Sequence, residues 1–240
     1  MPYQINTVAA VQRQTGLKIG IVGASGIGKT PLALTTPNPE RTLIVDVDRG
    51  LKSLGSAAIP VVTVDDPNQL TEITADLNAG LGASFDWVII DDTSAVADLW
   101  LAEARGLFPG DKWPQFEHVA RKTIETIIGF RNLSQHVVFI AKASQDQTGQ
   151  WVPHFPGRKL QKEWPYLLDS IGYMRAVVDD NGTPRRFIQF QPDGEYQAKD
   201  RNGRLTYEEC NLTKIAEKIF PSEQQQQQQQ QPQGEPTHEL

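Results

Sequence analysis

Residues 23–30 read GASGIGKT, a G-x-x-x-x-G-K-[ST] stretch. An apolar run, LKIGIV (17–22), precedes it, and a helical pattern follows through Leu34. Nothing else in the chain constrains its fold as much. A strand that ends in a Gly-rich turn and re-enters a helix wraps backbone N–H groups around a concave turn. Here those groups belong to Gly23, Ala24, Ser25, Gly26, Ile27 and Gly28, and phosphate oxygens can accept from them. At this spacing Lys29 reaches the β- and γ-phosphates, and Thr30 sets its hydroxyl on Mg2+. Pro31 fits because a first helical turn needs no intrahelical N–H. The stretch therefore predicts a site for ATP with Mg2+.

The remaining apolar runs fall into step with that strand. TLIVDVD (42–48), IPVVTVD (59–65), FDWVIID (85–91) and HVVFIA (136–141) read as strands. Helical patterns lie between them near 67–81, 93–107 and 115–133. Buried β-branched runs alternating with helices predict an α/β fold whose mostly parallel central sheet is flanked by helices. After Ala141 the pattern changes. Residues 142–159 are polar and punctuated by Gly and Pro, which predicts a long loop. SIGYMRAVVDD (170–180) and PRRFIQFQ (184–191) flank Asn181-Gly182, a strong hairpin signal, so the core carries a C-terminal antiparallel extension. A strand holding Lys199 and a helix near 211–220 follow. With 240 residues there is room for one well-buried domain. We place it at 17–220, after an N-terminal extension (1–16) and before a Gln-rich tail (221–240) that is expected to be disordered.

Composition closes off several classes. The formal charge is -6, and Glu223, Glu235 and Glu239 in the tail supply half of it. That balance argues against a blanket nucleic-acid binder but leaves room for a local basic channel. Cys210 is the sole cysteine, so an internal disulfide and a Cys-based metal cluster are both excluded, and a cytoplasmic setting is expected. The apolar runs are too short to span a bilayer, and the N-terminus lacks a signal-peptide pattern.

Carboxylates come next. VIIDD (88–92) ends a strand in two of them, and Asp91 is placed to hold the Mg2+ water shell opposite Thr30. For orienting the attacking water, the residues leave two choices. One is Asp92, directly after Asp91. The other is Asp48, at the end of IVDVD (44–48), where Asp46 and Asp48 share one face.

The order GASGIGKT, IVDVDRGLKSL, VIIDD, HVVFIAK, FPGRKL and YQAKDRNGRL resembles the phage nucleotide-binding P-loop family, over roughly residues 17–220. Its members are minimal RecA-like cores, and some act in single-strand annealing or recombination. The resemblance implies an ATPase that works on single-stranded DNA as a ring or filament in the host cytoplasm, with a single-strand-binding protein as a further partner. It favours Asp48 over Asp92 for water. The usual residue there is Glu, and the missing methylene implies slow turnover. It also places Lys142 as a γ-phosphate sensor. The loop 142–159 falls where such proteins carry a DNA-binding segment. Its aromatics and cations, Trp151, His154, Phe155, Arg158 and Lys159, continue to Lys162 and suit base stacking and phosphate contact. Finally, Lys199 and Arg201 resemble the paired cations that RecA-fold helicases insert into a neighbouring subunit's ATP site. Two other functions remain open. A replication or packaging motor would respond only to a protein partner, and a small-molecule kinase would respond to an acceptor.

Overall fold

A computed structural model describes Thr7 and residues 15–221. The Gln-rich tail, for which disorder is expected, lies outside the described residues from position 222 onward. Ten strands form one sheet. They are β1 (Lys18–Gly23), β2 (Thr42–Asp46), β3 (Val61–Thr63), β4 (Trp87–Asp91), β5 (His136–Gln145), β6 (Trp151–Pro153), β7 (Ser170–Val178), β8 (Pro184–Gln189), β9 (Lys199–Asp200) and β10 (Tyr207–Glu209). Five α-helices accompany them: α1 (Gln69–Asn78), α2 (Thr93–Leu107), α3 (Lys112–Arg131), α4 (Arg158–Leu167) and α5 (Leu212–Ile219).

The sheet order is β10-β8-β7-β1-β5-β4-β2-β3, with β6 added to β5 and β9 to β7. From β7 to β3 every neighbouring pair is parallel, whereas β8, β10, β6 and β9 pair antiparallel. This is the mostly parallel α/β sheet with an antiparallel extension that the alternation predicts. Strand alternation then sorts the core into two layers. Val22, Val45, Val88 and Phe139 face α2, α3 and α4, where Trp100, Phe130 and Trp164 fill the space. Ile21, Ile44, Ile89 and Ile140 face the other side, against Leu32 and Ile215. Trp164 lies so close to β1 that a Cβ on Gly20 would overlap its ring, which is why a glycine interrupts that strand's apolar run.

Two elements depart from expectation. The helix after GASGIGKT is a short 3-10 helix, Thr30–Thr35. Pro31 donates no N–H, Leu32 N closes back on Lys29 O at 3.0 Å, and Pro37 stops any extension. A macrodipole from six residues is small, so anion binding here rests on loop N–H groups and Lys29. The second departure is residues 142–159, which are no loop. β5 continues through Gln145, turns at Asp146–Gly149 and returns as β6. Asp146 fixes the turn by accepting from Thr148 and Gln150 N at 2.8 and 3.0 Å.

His136 opens β5 and gives the fold a pH dependence. Its Nδ1 accepts from Leu17 N at 3.1 Å, and its ring stacks on Trp87 with 4.4 Å between centroids. Burial, reinforced by the Lys18 charge, lowers its pKa to about 4 from 6.5. A depressed histidine pKa means that the unfolded chain takes up the proton first. Stability is therefore lost as pH falls from about 6.5 toward 4, by about 2 kcal/mol. Asp91, whose carboxyl pKa is raised to about 6, acts in the opposite sense over this range. The His136 share is therefore read as the difference in urea unfolding free energy between wild type and His136→Gln, which should fall by about 2 kcal/mol from pH 7 to pH 4.5.

Candidate active site

The carboxyl ends of β1, β2, β4 and β5 meet at one edge of the sheet, where ligands bind in open α/β folds. Gly23 is in register with Lys142, and Asp46 with Asp91. A cavity of about 700 Å3 opens there, and Lys29, Thr30, Asp48, Asp91, Asp92 and Lys142 all line it. The fold thus brings together the phosphate loop, both candidate water-orienting groups and the candidate sensor.

Within the loop, Lys29 Nζ donates to Gly23 O and Ala24 O, both at 2.9 Å. Desolvation lowers its pKa, and the Asp92 and Asp91 charges offset this only in part. An ammonium held by two carbonyls and short of negative charge is primed to accept phosphate oxygens. Thr30 Oγ1 donates to Asp91 Oδ2 at 2.5 Å. Burial pushes the Asp91 carboxyl up to about 6, and the Thr30 hydrogen bond and the Lys29 charge offset this only in part. A hydroxyl and a desolvated carboxylate side by side are hard oxygen donors suited to Mg2+. Among the described residues no group of three or more His, Cys, Asp or Glu side chains forms a metal cage. One carboxylate and one hydroxyl would leave the other positions around Mg2+ to water and nucleotide phosphates. Bound there with a nucleotide, the ion would neutralise charge on the phosphate oxygens.

The two adjacent aspartates part ways. Asp91 ends β4 on the side of Thr30, whereas Asp92 is buried and accepts from Ala95 N at 2.7 Å as the N-cap of α2. Burial raises its pKa too. Asp48 lies two residues beyond the end of β2, with its side chain open to the cleft. It is not the partner of Asp46 that alternation implies. Asp46 is buried and closes the turn after β2 by accepting from the Arg49 and Gly50 backbone. Val47 N and Asp48 N both bond to Asp91 O, at 2.8 and 3.2 Å, which fixes the turn against β4. Lys142 Nζ bridges the two candidates, 2.8 Å from Asp48 Oδ1 and 3.5 Å from Asp92 Oδ2. Burial pulls its pKa down, but these carboxylates outweigh that and raise it.

A sequence model described as an AAA domain matches residues 15–202, most of the chain. The chain belongs to this AAA domain family. It is therefore a nucleotide-binding P-loop ATPase domain, and the matched span holds every residue of the cleft just described. A search of curated proteins finds no match. No helix among the described residues is long and apolar enough to cross a membrane.

Other candidates in the AAA domain land elsewhere than expected. His154 lines the nucleotide cleft, held by its backbone N–H to Lys142 O at 2.7 Å, because β6 turns back alongside β5. Phe155 is buried against Trp164 and cannot stack on a base. Trp151 is half-buried and stacks on Tyr196, with ring planes 10° apart. Lys159 is paired with Glu117 at 2.6 Å. Arg158 and Lys162 remain exposed.

Lys199 and Arg201 lie at the opposite end of the sheet, since β9 pairs with the start of β7. Lys199 Nζ donates to Pro165 O and Leu168 O, at 2.7 and 2.8 Å, and so closes the C-terminus of α4. Reaching a neighbouring site would break both bonds. Arg201 pairs with Asp169 at 3.1 Å. A charged residue of the cleft escapes sequence reading: Arg186, on β8, lines the cavity beside Gly28. The signal lay in β8's alternation, which sets Arg186 on the same face as the apolar Ile188.

Proposed function

We propose that this AAA domain hydrolyses ATP in a manner coupled to single-stranded DNA, acting as a homo-oligomer in phage annealing or recombination. One observation carries the reading. β5 joins the nucleotide cleft to a second, polar groove without any intervening slack. The strand passes Lys142 and Ala143 in the cleft, and by Gln145 it forms the wall of a groove of about 470 Å3. Its lining includes Gln145, Gln147, Gln150, Gln161, Arg158 and Lys162, and also Asp146, whose carboxylate is engaged by the hairpin turn. Amides both donate and accept, and two exposed cations suit a phosphate backbone without selecting a sequence. Arg158 also borders a hollow floored by Trp113 and Phe116. Trp113 is 76% exposed, and it can stack on a base where Phe155 cannot.

In this reading Asp48 orients the attacking water, while Lys29 and Lys142 meet the phosphate charge. Loss of the γ-phosphate frees Lys142, and β5 carries the displacement to the hairpin tip. The test is ATP turnover with and without a single-stranded oligonucleotide. Stimulation is expected, and Arg158→Ala with Lys162→Ala should return the rate toward the unstimulated value. Trp113→Ala should weaken oligonucleotide binding by about 1–3 kcal/mol in an anisotropy titration. Stimulation by a small acceptor, or by a protein partner alone, would support a kinase or a loader instead. Light scattering with ATP and oligonucleotide measures the assembly.

A further inference from the structure

Strand period brings a cation over the phosphate loop from within the same chain. Ile188 and Phe190 are fully buried in the layer that also holds Met174, Ile21 and Leu32. Arg186 is two residues before Ile188, so it continues the same row past the end of the apolar packing. The register agrees. Met174 is opposite Gly23 on β1 and opposite Ile188 on β8, and Arg186 is opposite Ala176, two residues further out. The β7–β8 hairpin therefore overhangs the loop. A Cβ placed on Gly28 would lie 3.1 Å from Arg186 Nη1 and 3.5 Å from Met174 Cε. Gly28, at φ 106°, is the position where the backbone itself excludes an ordinary side chain.

The guanidinium is also uncommitted. Among the described residues no hydrogen bond or ion pair holds the Arg186 guanidinium, although the Cys210 thiol senses its charge. Its neighbour Arg185 points to the other face and is bound to Asp179 at 3.0 Å. An arginine facing a phosphate cradle, with its five donors unspent, fits one kind of ligand.

We propose that Arg186 binds the polyphosphate of the nucleotide held by its own chain, making the β7–β8 hairpin a clamp over the P-loop. The role expected of Lys199 and Arg201 across a subunit boundary is then filled in cis, by a residue on a different hairpin. The proposal rests on the nucleotide site and is independent of any action on DNA.

Fluorescence titration of the full chain with methylanthraniloyl-ATP and methylanthraniloyl-AMP, in Mg2+, tests it. Arg186→Ala should weaken the triphosphate by about 10- to 100-fold, as loss of charge-assisted hydrogen bonds does. The monophosphate should change far less, Arg186→Lys should recover part of the loss, and Arg185→Ala should match wild type. Equal losses for both nucleotides would reveal a merely structural residue and overturn the proposal, as would wild-type affinity in Arg186→Ala. Mixing Lys29→Ala with Arg186→Ala then tests the same-chain assignment. No recovery of turnover is expected, because neither subunit owns a complete site, and recovery would move Arg186 to the neighbouring subunit's nucleotide.

Discussion

Lys29→Ala is expected to abolish ATP turnover, with a loss of at least about 10²–10³-fold, the scale on which a preorganised phosphate or oxyanion donor contributes. The fold should survive. Among the described residues, the Lys29 side chain donates to Gly23 O and Ala24 O, carbonyls of its own loop that water can satisfy in its place. Its lowered pKa points the same way, since burial without a phosphate disfavours the charged form of this group. The unfolding midpoint should therefore stay close to wild type while phosphate release falls to background. Phosphate release at the wild-type rate would remove the P-loop from the chemistry altogether.

Asp48→Asn is expected to separate binding from turnover. Asp48 faces the open cleft and makes one side-chain bond, to Lys142, so its loss leaves the loop and the Thr30–Asp91 pair untouched. Nucleotide affinity should hold within a few-fold, and the rate should fall by about 10²-fold or more as the water loses its general base. Asp92→Asn should behave differently. Asparagine also caps helices, so α2 keeps its N-cap, and turnover should change little. The discriminating measurement is single-turnover hydrolysis beside an affinity titration for both variants. If Asp92→Asn kills turnover and Asp48→Asn does not, the base sits directly after the metal-binding aspartate and the roles of the two residues are exchanged.

Much of this is legible in the residues themselves. GASGIGKT declares its own geometry, because an apolar strand before it and a helical pattern after it mark a loop whose backbone N–H groups can cradle an anion. VIIDD is ambiguous alone, since strands often end in Asp where they turn into solvent, and it takes its meaning from lying one strand-and-helix set beyond the phosphate loop. What sequence could not supply was which partner each polar group would find. Lys199 reads as a projecting cation until α4 ends beside it and offers two carbonyls. Phe155 reads as a stacking surface until Trp164, nine residues later, covers it from the next helix. The length of the helix after the loop escaped for a local reason: Pro31 is compatible with an α-helical first turn, but together with Pro37 it leaves room for only six residues. Arg186 was missed because it follows another arginine in an exposed hairpin, and the register across β7 and β1 was needed to tell the two apart.

The position of β1 in the sheet has a consequence for synthesis and for fragments. Its two neighbours, β5 and β7, begin at His136 and Ser170, more than a hundred residues downstream. As the chain leaves the ribosome, the strand that ends in the phosphate loop is made more than a hundred residues before either of its partners. β2, β3 and β4 can pair with one another meanwhile, but the loop at Gly23 has no scaffold until Val137 and Ile171 arrive. Contacts of such long sequence separation slow folding and leave an apolar strand exposed while it waits. A nascent or truncated chain that stops before β7 thus carries the whole P-loop sequence without the architecture that makes it a P-loop, and its bare β1 is the segment a chaperone would have to shield.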